Sequence, residues 1–536
     1  MARVALAILT FAAWSVSAAP ANSCADPHWK DTLRCALFPN DIPQPNVDEI
    51  PRGQQVPAYT RVFLDDDPDV RCTDGTMPLI YVDKAVCTEA SCGSARRGEP
   101  IESNRWIFTM TGGDSCFGER CAFFYAQPDE RAFMGTSTKG PVRDFEGILD
   151  PDPLRNPLFA SYNRVRVEKC SFDRYMGRSQ EKGIRATLPN GQTISFNAYH
   201  HGFFILQETF RKLEHGLRYP TWRRNAASQK VKRRACCGAR GGDQWSSVDE
   251  RLPALADAEV VLFVGHSNAS HGLFHNIDHL AAELPNADVR ALFDENFLPG
   301  IENEAAGKDA YDGVWSGTSS ARGEAFSYDG TVHHATNDVD LSYAAHGAAH
   351  DLSCVDAHAS DNTAWKCQDR QHVLLNHIST PFMVRQDFTD PNREHLDAPN
   401  GHWVRWGNAA NYSYCPDAQP CEPRFNAAEF RTRLEKQIQT LLTAAWTRSE
   451  IARGVDRSGA VQTTMFVWMP ACGQHDGAYS DNPFYGATIT TSATSFTMRQ
   501  WLEEFMAAPR SGVRRYQIDG ALDPAGRRMA TAQCQQ

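Results

Sequence analysis

The chain predicts an α/β protein built on a doubly wound, mostly parallel sheet with cap or lid insertions. Three observations predict it. Short β-branched apolar runs recur along the chain, stretches with helical spacing separate them, and small-residue turns join the two. Residues 106–110 (Trp-Ile-Phe-Thr-Met) read as a buried strand running into Thr111-Gly112-Gly113, and residues 165–167 as a second strand. Phe203, Leu206, Phe210 and Leu213 fall at helical spacing and predict a helix over 202–213. Residues 260–264 (Val-Val-Leu-Phe-Val) are the clearest strand, apolar throughout as in a sheet buried on both faces. A turn follows at Gly265, then a helix over 270–284. Further strands are expected at 289–293, 381–384 and 464–468, and further helices at 427–446 and 495–507.

Composition narrows the class. Of 536 residues 42% are hydrophobic, enough for a large core, and 22% are charged, too few for a disordered polyelectrolyte. Residues 1–18 read as a signal peptide: Arg3 gives the positive start, residues 4–16 are apolar but too short to span a bilayer, and Val16-Ser17-Ala18 resembles a cleavage site. All 16 cysteines follow this segment, and an even number in an exported chain implies disulfides whose pairing the sequence does not reveal. The expected protein is therefore secreted, extracellular or periplasmic, and disulfide-stabilised. No later stretch approaches the roughly 18 apolar residues of a spanning helix, so no membrane insertion is expected. The net charge is −11, one unit lower after leader removal, which gives no general case for nucleic-acid binding. Residues 19–99 read as an N-terminal arm and disulfide-rich lead-in, and residues 100–536 as the catalytic domain. Within that domain lie a basic insertion over 218–250 and a Gly-, Asp-, Ala- and His-rich cap over 296–376.

The chemistry centres on the turn after residue 264. Gly265-His266-Ser267-Asn268-Ala269 joins a strand to a helix, and an α/β-hydrolase carries its serine nucleophile on such a turn, usually Gly-x-Ser-x-Gly. Small flanking residues let the backbone fold tightly, and the helix start aims its N–H groups at the reacting carbonyl. A serine hydroxyl is a weak nucleophile at neutral pH. It needs a base, and the base needs an orienting acid. Eighteen histidines are available, and the residues alone do not choose among them. A rival constellation is metallic. His271, His275 and His279 recur every four residues, as do His346 and His350 with Asp351 and His358 nearby, and such pairs on a helix can bind zinc. The Glu of His-Glu-x-x-His is missing, so the expectation is no metal and no organic cofactor.

The segment 265–294 is similar to the pectin acetylesterase/Notum family, with Asn276-Ile277-Asp278 and Val289-Arg290-Ala291-Leu292-Phe293-Asp294 following the elbow. Met110-Thr111-Gly112-Gly113-Asp114-Ser115-Cys116, with Cys121, resembles the family's Gly-Gly motif. Gly147-Ile148-Leu149, Asp152-Pro153, Asn156-Pro157, Asn163-Arg164-Val165 and Lys169-Cys170 resemble the stretch after it. Thr380-Pro381 lies ten and nine residues before Asp390, the spacing of the family's catalytic aspartate, and Ala471-Cys472-Gly473-Gln474-His475 is similar to its Ser-Cys-x-x-His. The resemblance covers roughly residues 100–480. It implies a serine carboxylic ester hydrolase with a triad of Ser267, Asp390 and His475 and an oxyanion hole from the N–H groups of Gly113, Asp114 and Asn268. Each such donor typically contributes about 2.7–4 kcal/mol to the transition state. Asp387 and Asp294 are the competing acids.

The departures from the family are Asn268 and Ala269 in place of Ala and Gly, Asp114 in place of Gly or Trp, and Ser171-Phe172 in place of Asp-Gly after Cys170. The family implies an ester substrate, O-acetyl groups on polysaccharide above all. Longer acyl esters and a non-catalytic binding protein on the same fold are the alternatives. Arg218, Arg223, Arg224, Lys230, Lys232, Arg233, Arg234 and Arg240 form a stretch without acidic residues, read either as a solvated loop or as an edge for an acidic polymer.

Overall fold

The computed structural model describes residues 32–37, 59–89, 91–113, 115–126, 128–136, 139–140, 142–188, 190–224, 245–295, 346–359, 366–367, 370–387, 463–470, 472, 477–490 and 495–518. Ten of its strands form one sheet. In chain order they are β1 (Tyr59–Phe63), β2 (Leu79–Asp83), β3 (Arg105–Met110), β4 (Val142–Arg143) and β5 (Asn163–Val167), then β6 (Val260–His266), β7 (Asp288–Asp294), β8 (Phe382–Arg385), β9 (Met465–Met469) and β10 (Arg514–Ile518). Their spatial order is β10-β9-β8-β7-β6-β3-β5-β2-β1-β4. Every pairing from β10 to β5 is parallel, and β5–β2, β2–β1 and β1–β4 are antiparallel.

Strand β6 lies inside this sheet because both of its faces are apolar. Val261 and Phe263 join one core layer, Leu262 and Val264 the other, and all four are essentially fully buried. On the first face Phe263 stacks with Phe108 of β3 and Phe210 at centroid distances of 5.2 and 5.8 Å. Phe210 belongs to helix α1 (Gly202–Leu213), which the spacing of its apolar residues predicts. On the second face Phe466 of β9 packs on Trp501 and Phe505 at 5.1 and 5.4 Å. Truncating a buried Phe to Ala typically costs about 3–5 kcal/mol, so each layer depends on a few aromatic residues.

Several expected elements are placed differently. Residues 59–99, read as a lead-in, supply β1 and β2 to the same sheet as the elbow strand. The helix expected over 495–507 divides into a short strand (Ser495–Thr497) and a helix (Met498–Ala507). The reason is local: Ser495–Thr497 pairs with Thr488–Thr490, and Thr497 and Gln500 form a reciprocal capping box. The two ends of the expected basic insertion pair with each other, Leu217–Arg224 running antiparallel to Trp245–Leu252. Residues 225–244, most of the cap (296–345), the leader and the helix expected at 427–446 lie outside the described residues.

Disulfides join Cys72 to Cys170, Cys87 to Cys92, Cys116 to Cys121 and Cys354 to Cys367. The first ties β5's C-terminal extension to the loop between β1 and β2, across 98 residues of chain. No described helix is long and apolar enough to cross a membrane.

Candidate active site

Ser267 follows the last residue of β6 and precedes helix α2 (Asn268–Ala282). Its backbone has φ 52° and ψ −127°, a left-handed conformation that a non-glycine residue avoids. Such a residue costs on the order of 1–3 kcal/mol and persists only where its surroundings hold it. Here the Ser267 N–H donates to the Asp294 carbonyl at 2.9 Å, at the end of the neighbouring strand, and the Ser267 carbonyl accepts from Ser270 N–H at 2.9 Å. The turn is tight enough that a Cβ on Gly265 would come within 2.6 Å of Ser270 Cα, which explains the small residue there.

The Gly112–Gly113 loop at the end of β3 lies against this serine. A Cβ on Gly112 would sit 2.4 Å from Ser267 Cβ and 3.1 Å from its Oγ. Gly113 has φ +130°, and a Cβ there would meet the Lys169 ammonium at 2.1 Å. The Asn268 side-chain amide donates to the Gly113 carbonyl at 2.6 Å, tying the loop to the first residue of α2. Ser267, Gly113 and Asn268 are thus brought together. Asp114, Asp390 and His475 lie outside the described residues.

A buried charge network underlies the neighbouring strand ends. Arg385, at the end of β8, contacts Asp294, Glu295 and Asp387, and all four side chains are essentially fully buried. Glu295, with φ 64°, is a second strained residue and accepts from the Gln386 side chain at 2.6 Å. Asp294 accepts from Ala478 N–H at 2.8 Å and lies 3.4 Å from His266 Nδ1. Asp387 accepts the Cys472 N–H with its two oxygens at 3.1 and 3.0 Å. The two competing acids are therefore occupied in bracing loops at the C-terminal ends of β7, β8 and β9.

Helix α2 is itself clamped. A Cβ on Gly272 would meet the Arg174 carbonyl at 1.7 Å, and Asn276 Nδ2 donates to the Tyr175 carbonyl at 3.1 Å. Arg174 and Tyr175 are also left-handed, at φ 60° and 61°. Asp278 accepts four hydrogen bonds of 2.6–2.9 Å from the N–H and hydroxyl groups of Ser379 and Thr380, just ahead of β8. The Gly147-Ile148 stretch braces the far loop, with Ile148 N–H donating to the Ala478 carbonyl at 2.8 Å and Asp481 accepting from Gly147 N–H at 2.9 Å.

Two charged groups lie near the Gly112–Gly113 loop. Lys169 is buried beside Gly113, its ammonium 4.1 Å from the Phe172 ring centroid. Glu168 precedes it. Burial would raise the Glu168 pKa, but Arg166, Lys139 and Arg143 together hold it down at about 2. The histidines of the rival metal reading lie in ring and hydrogen-bond contacts. His271 and His275 lie 5.4 Å apart between centroids, His275 and His350 5.1 Å, and His346 Nε2 lies 2.7 Å from the Cys116 carbonyl.

A family profile described as pectinacetylesterase matches residues 57–220. The zebrafish (Danio rerio) protein named inactive palmitoleoyl-protein carboxylesterase notum1b is 31% identical over 140 residues, 25% of this chain and 88% of that protein. Human palmitoleoyl-protein carboxylesterase NOTUM is 25% identical over 254 residues, 46% of this chain but 38% of the human protein. Among solved structures, the Wnt deacylase Notum from Drosophila (crystal form II) superposes with a TM-score of 0.51 at 16% identity, covering 87% of this chain and 97% of that one, a likeness of fold. Fold and relatives together define a carboxylic ester hydrolase on an α/β-hydrolase sheet. Within that class the chain belongs to the pectinacetylesterase/Notum family.

Proposed function

We propose that the protein is a secreted serine esterase in which Ser267 attacks an ester carbonyl, His475 takes the serine proton and passes it to the leaving alcohol, and Asp390 orients His475. The N–H groups of Gly113, Asp114 and Asn268 hold the oxyanion, and water then cleaves the acyl-enzyme. The observation that carries this reading is the strained Ser267 at the end of β6, with Gly112 against it. The placement of its flanks supports the other two members. Cys472, three residues before His475, is hydrogen-bonded to Asp387, three residues before Asp390. Gly477 and Ala478, just after His475, pack on Arg385 and Asp294. Both chains therefore leave the sheet on the edge that carries Ser267.

The substrate of this reading is an O-acetyl group on a polysaccharide, an acidic one if the basic ribbon contributes. A second reading, a longer acyl chain, draws on the names of the curated relatives, which are palmitoleoyl-protein carboxylesterases. A series of nitrophenyl esters of increasing acyl length separates them: activity confined to acetate favours the first, and a maximum at long chains the second. Export is supported by the leader-like residues 1–18 and the disulfides.

A further inference from the structure

We propose that His358, His372 and His377 form a structural site for a borderline divalent cation such as Zn²⁺. The three imidazoles come from two elements. His358 ends helix α3 (Leu352–His358), His372 lies on helix α4 (Arg370–Asn376), and His377 follows α4 directly. Their Nε2 atoms converge: His358 to His372 is 2.9 Å and His377 to His372 is 3.3 Å. Nitrogen ligands at about 2.0–2.1 Å around a tetrahedral zinc stand roughly 3.3 Å from each other, so the cluster is already near ligand spacing.

The surrounding hydrogen bonds suit such a site. Ser353 donates its hydroxyl proton to Asp351 at 2.7 Å, so its oxygen accepts from His377 Nδ1–H at 3.0 Å. That bond fixes the tautomer of neutral His377 and aims its Nε2 lone pair at the other two rings, the usual outer-shell arrangement of a ligating histidine. Asn376 Nδ2 donates to His372 Nδ1 at 3.2 Å, which places the proton of neutral His372 on Nε2, so this ring gives up that proton or exchanges tautomers when it takes a cation. A cation competes with protons for the Nε2 atoms, so binding releases protons and weakens at acid pH.

Cys354 Sγ lies within 4.8 Å of the three nitrogens, but it is bonded to Cys367 and supplies no thiolate. Among the described residues the site therefore offers three nitrogen donors. His377 is buried, while His358 and His372 are half-buried and leave a way in. Imidazole donors select zinc-like ions over Ca²⁺ or Mg²⁺, which require oxygen ligands. The cation would join the disulfide-closed segment 354–367 to α4, which packs on α2 and leads into β8. Because α4 enters the sheet at the opposite end of the strands from Ser267, the role is stability, not chemistry.

The test uses the full-length secreted protein, stripped with EDTA and titrated with Zn²⁺ and separately with Ca²⁺. Calorimetry, bound-metal analysis and thermal unfolding are the readouts, with hydrolysis of a small nitrophenyl ester alongside. The expected result is one Zn²⁺ per chain, a melting temperature raised by several degrees, no response to Ca²⁺ and unchanged hydrolysis. His358→Gln and, separately, His377→Gln should each weaken Zn²⁺ binding at least tenfold, while His215→Gln, at an exposed histidine, should not. If one of the two variants fails to fold, the other still decides. Failure of the stripped wild-type protein to bind Zn²⁺, or equal binding by the variants, overturns the site. Loss of hydrolysis on stripping, restored by Zn²⁺, overturns its structural role.

Discussion

Gly112 faces Ser267 so closely that a methyl group on it would lie 2.4 Å from Ser267 Cβ and 2.4 Å from the His266 carbonyl oxygen. The contact is with backbone and with the Cβ of the proposed nucleophile, so no flexible side-chain end can move aside. Gly112→Ala should displace the elbow or the oxyanion loop and lower kcat/KM by about 10²-fold or more, as removal of an oxyanion donor does. Gly140→Ala, where the nearest atom is 3.6 Å away, should leave it unchanged. Equal activity in the two variants would show that the Gly112 loop is not part of the site.

The proposed roles of Asp390 and Asp387 separate in two variants. Asp390→Asn should reduce kcat by orders of magnitude while leaving the melting temperature near that of the wild type. Asp387 is buried, accepts the Cys472 N–H and pairs with Arg385. Asp387→Asn should therefore lower stability, by roughly 1.5–3 kcal/mol for a weakened charged hydrogen bond, with a much smaller direct effect on turnover. Denaturant unfolding and ester kinetics on both variants check the ranking, and the reverse ranking would make Asp387 the catalytic acid.

The elbow was legible in the sequence because its signal is local. Five apolar residues, a glycine and a serine before a helical pattern specify a strand, a turn and a helix without reference to the rest of the chain. Helix Gly202–Leu213 was legible for the same reason. Asp390 and His475 came only through resemblance, since no local pattern marks a residue whose proposed partner is 85 or more positions away. The histidines show the limit of spacing. His271, His275 and His279 share one helix, yet the rings whose nitrogens converge are His358, His372 and His377, brought together by a disulfide and two helices. The contact of Lys169 with Gly113 and the pairing of Arg385 with Asp294, Glu295 and Asp387 were illegible because burial beside a particular partner is a tertiary property.

Burial, with the Arg178 charge nearby, lowers the His350 pKa to about 4. An unfolded histidine titrates near 6.5, so below that pH the unfolded chain binds a proton that the folded chain does not. The associated stability is fully present above pH 6.5 and falls as the pH drops to about 4, by on the order of 3 kcal/mol. Denaturant unfolding of wild type and His350→Gln across this window should show the wild type losing stability relative to the variant as pH falls. A constant difference would mean that His350 titrates in the folded protein as it does in the unfolded chain.

The basic ribbon makes a prediction about substrate charge. If the positive residues between 218 and 240 guide an acidic polymer, hydrolysis of an acetylated anionic polysaccharide should fall steeply as salt rises, since the Debye length is about 10 Å at 0.1 M. A small neutral ester should show no such fall. Replacing Lys232, Arg233 and Arg234 with Ser should reproduce the high-salt rate for the polymer alone. Parallel salt curves for the two substrates would leave the basic stretch without a part in binding.

The most direct test of the central claim is covalent labelling of the nucleophile. A fluorophosphonate should modify the folded protein once per chain, and peptide mass analysis should place the adduct on Ser267. Ser267→Ala, with an unchanged melting profile, should take up no label and lose ester hydrolysis by at least about 10³-fold, as loss of a triad nucleophile does. A folded Ser267→Ala protein that hydrolyses esters at the wild-type rate, or an adduct on another residue, would contradict the account.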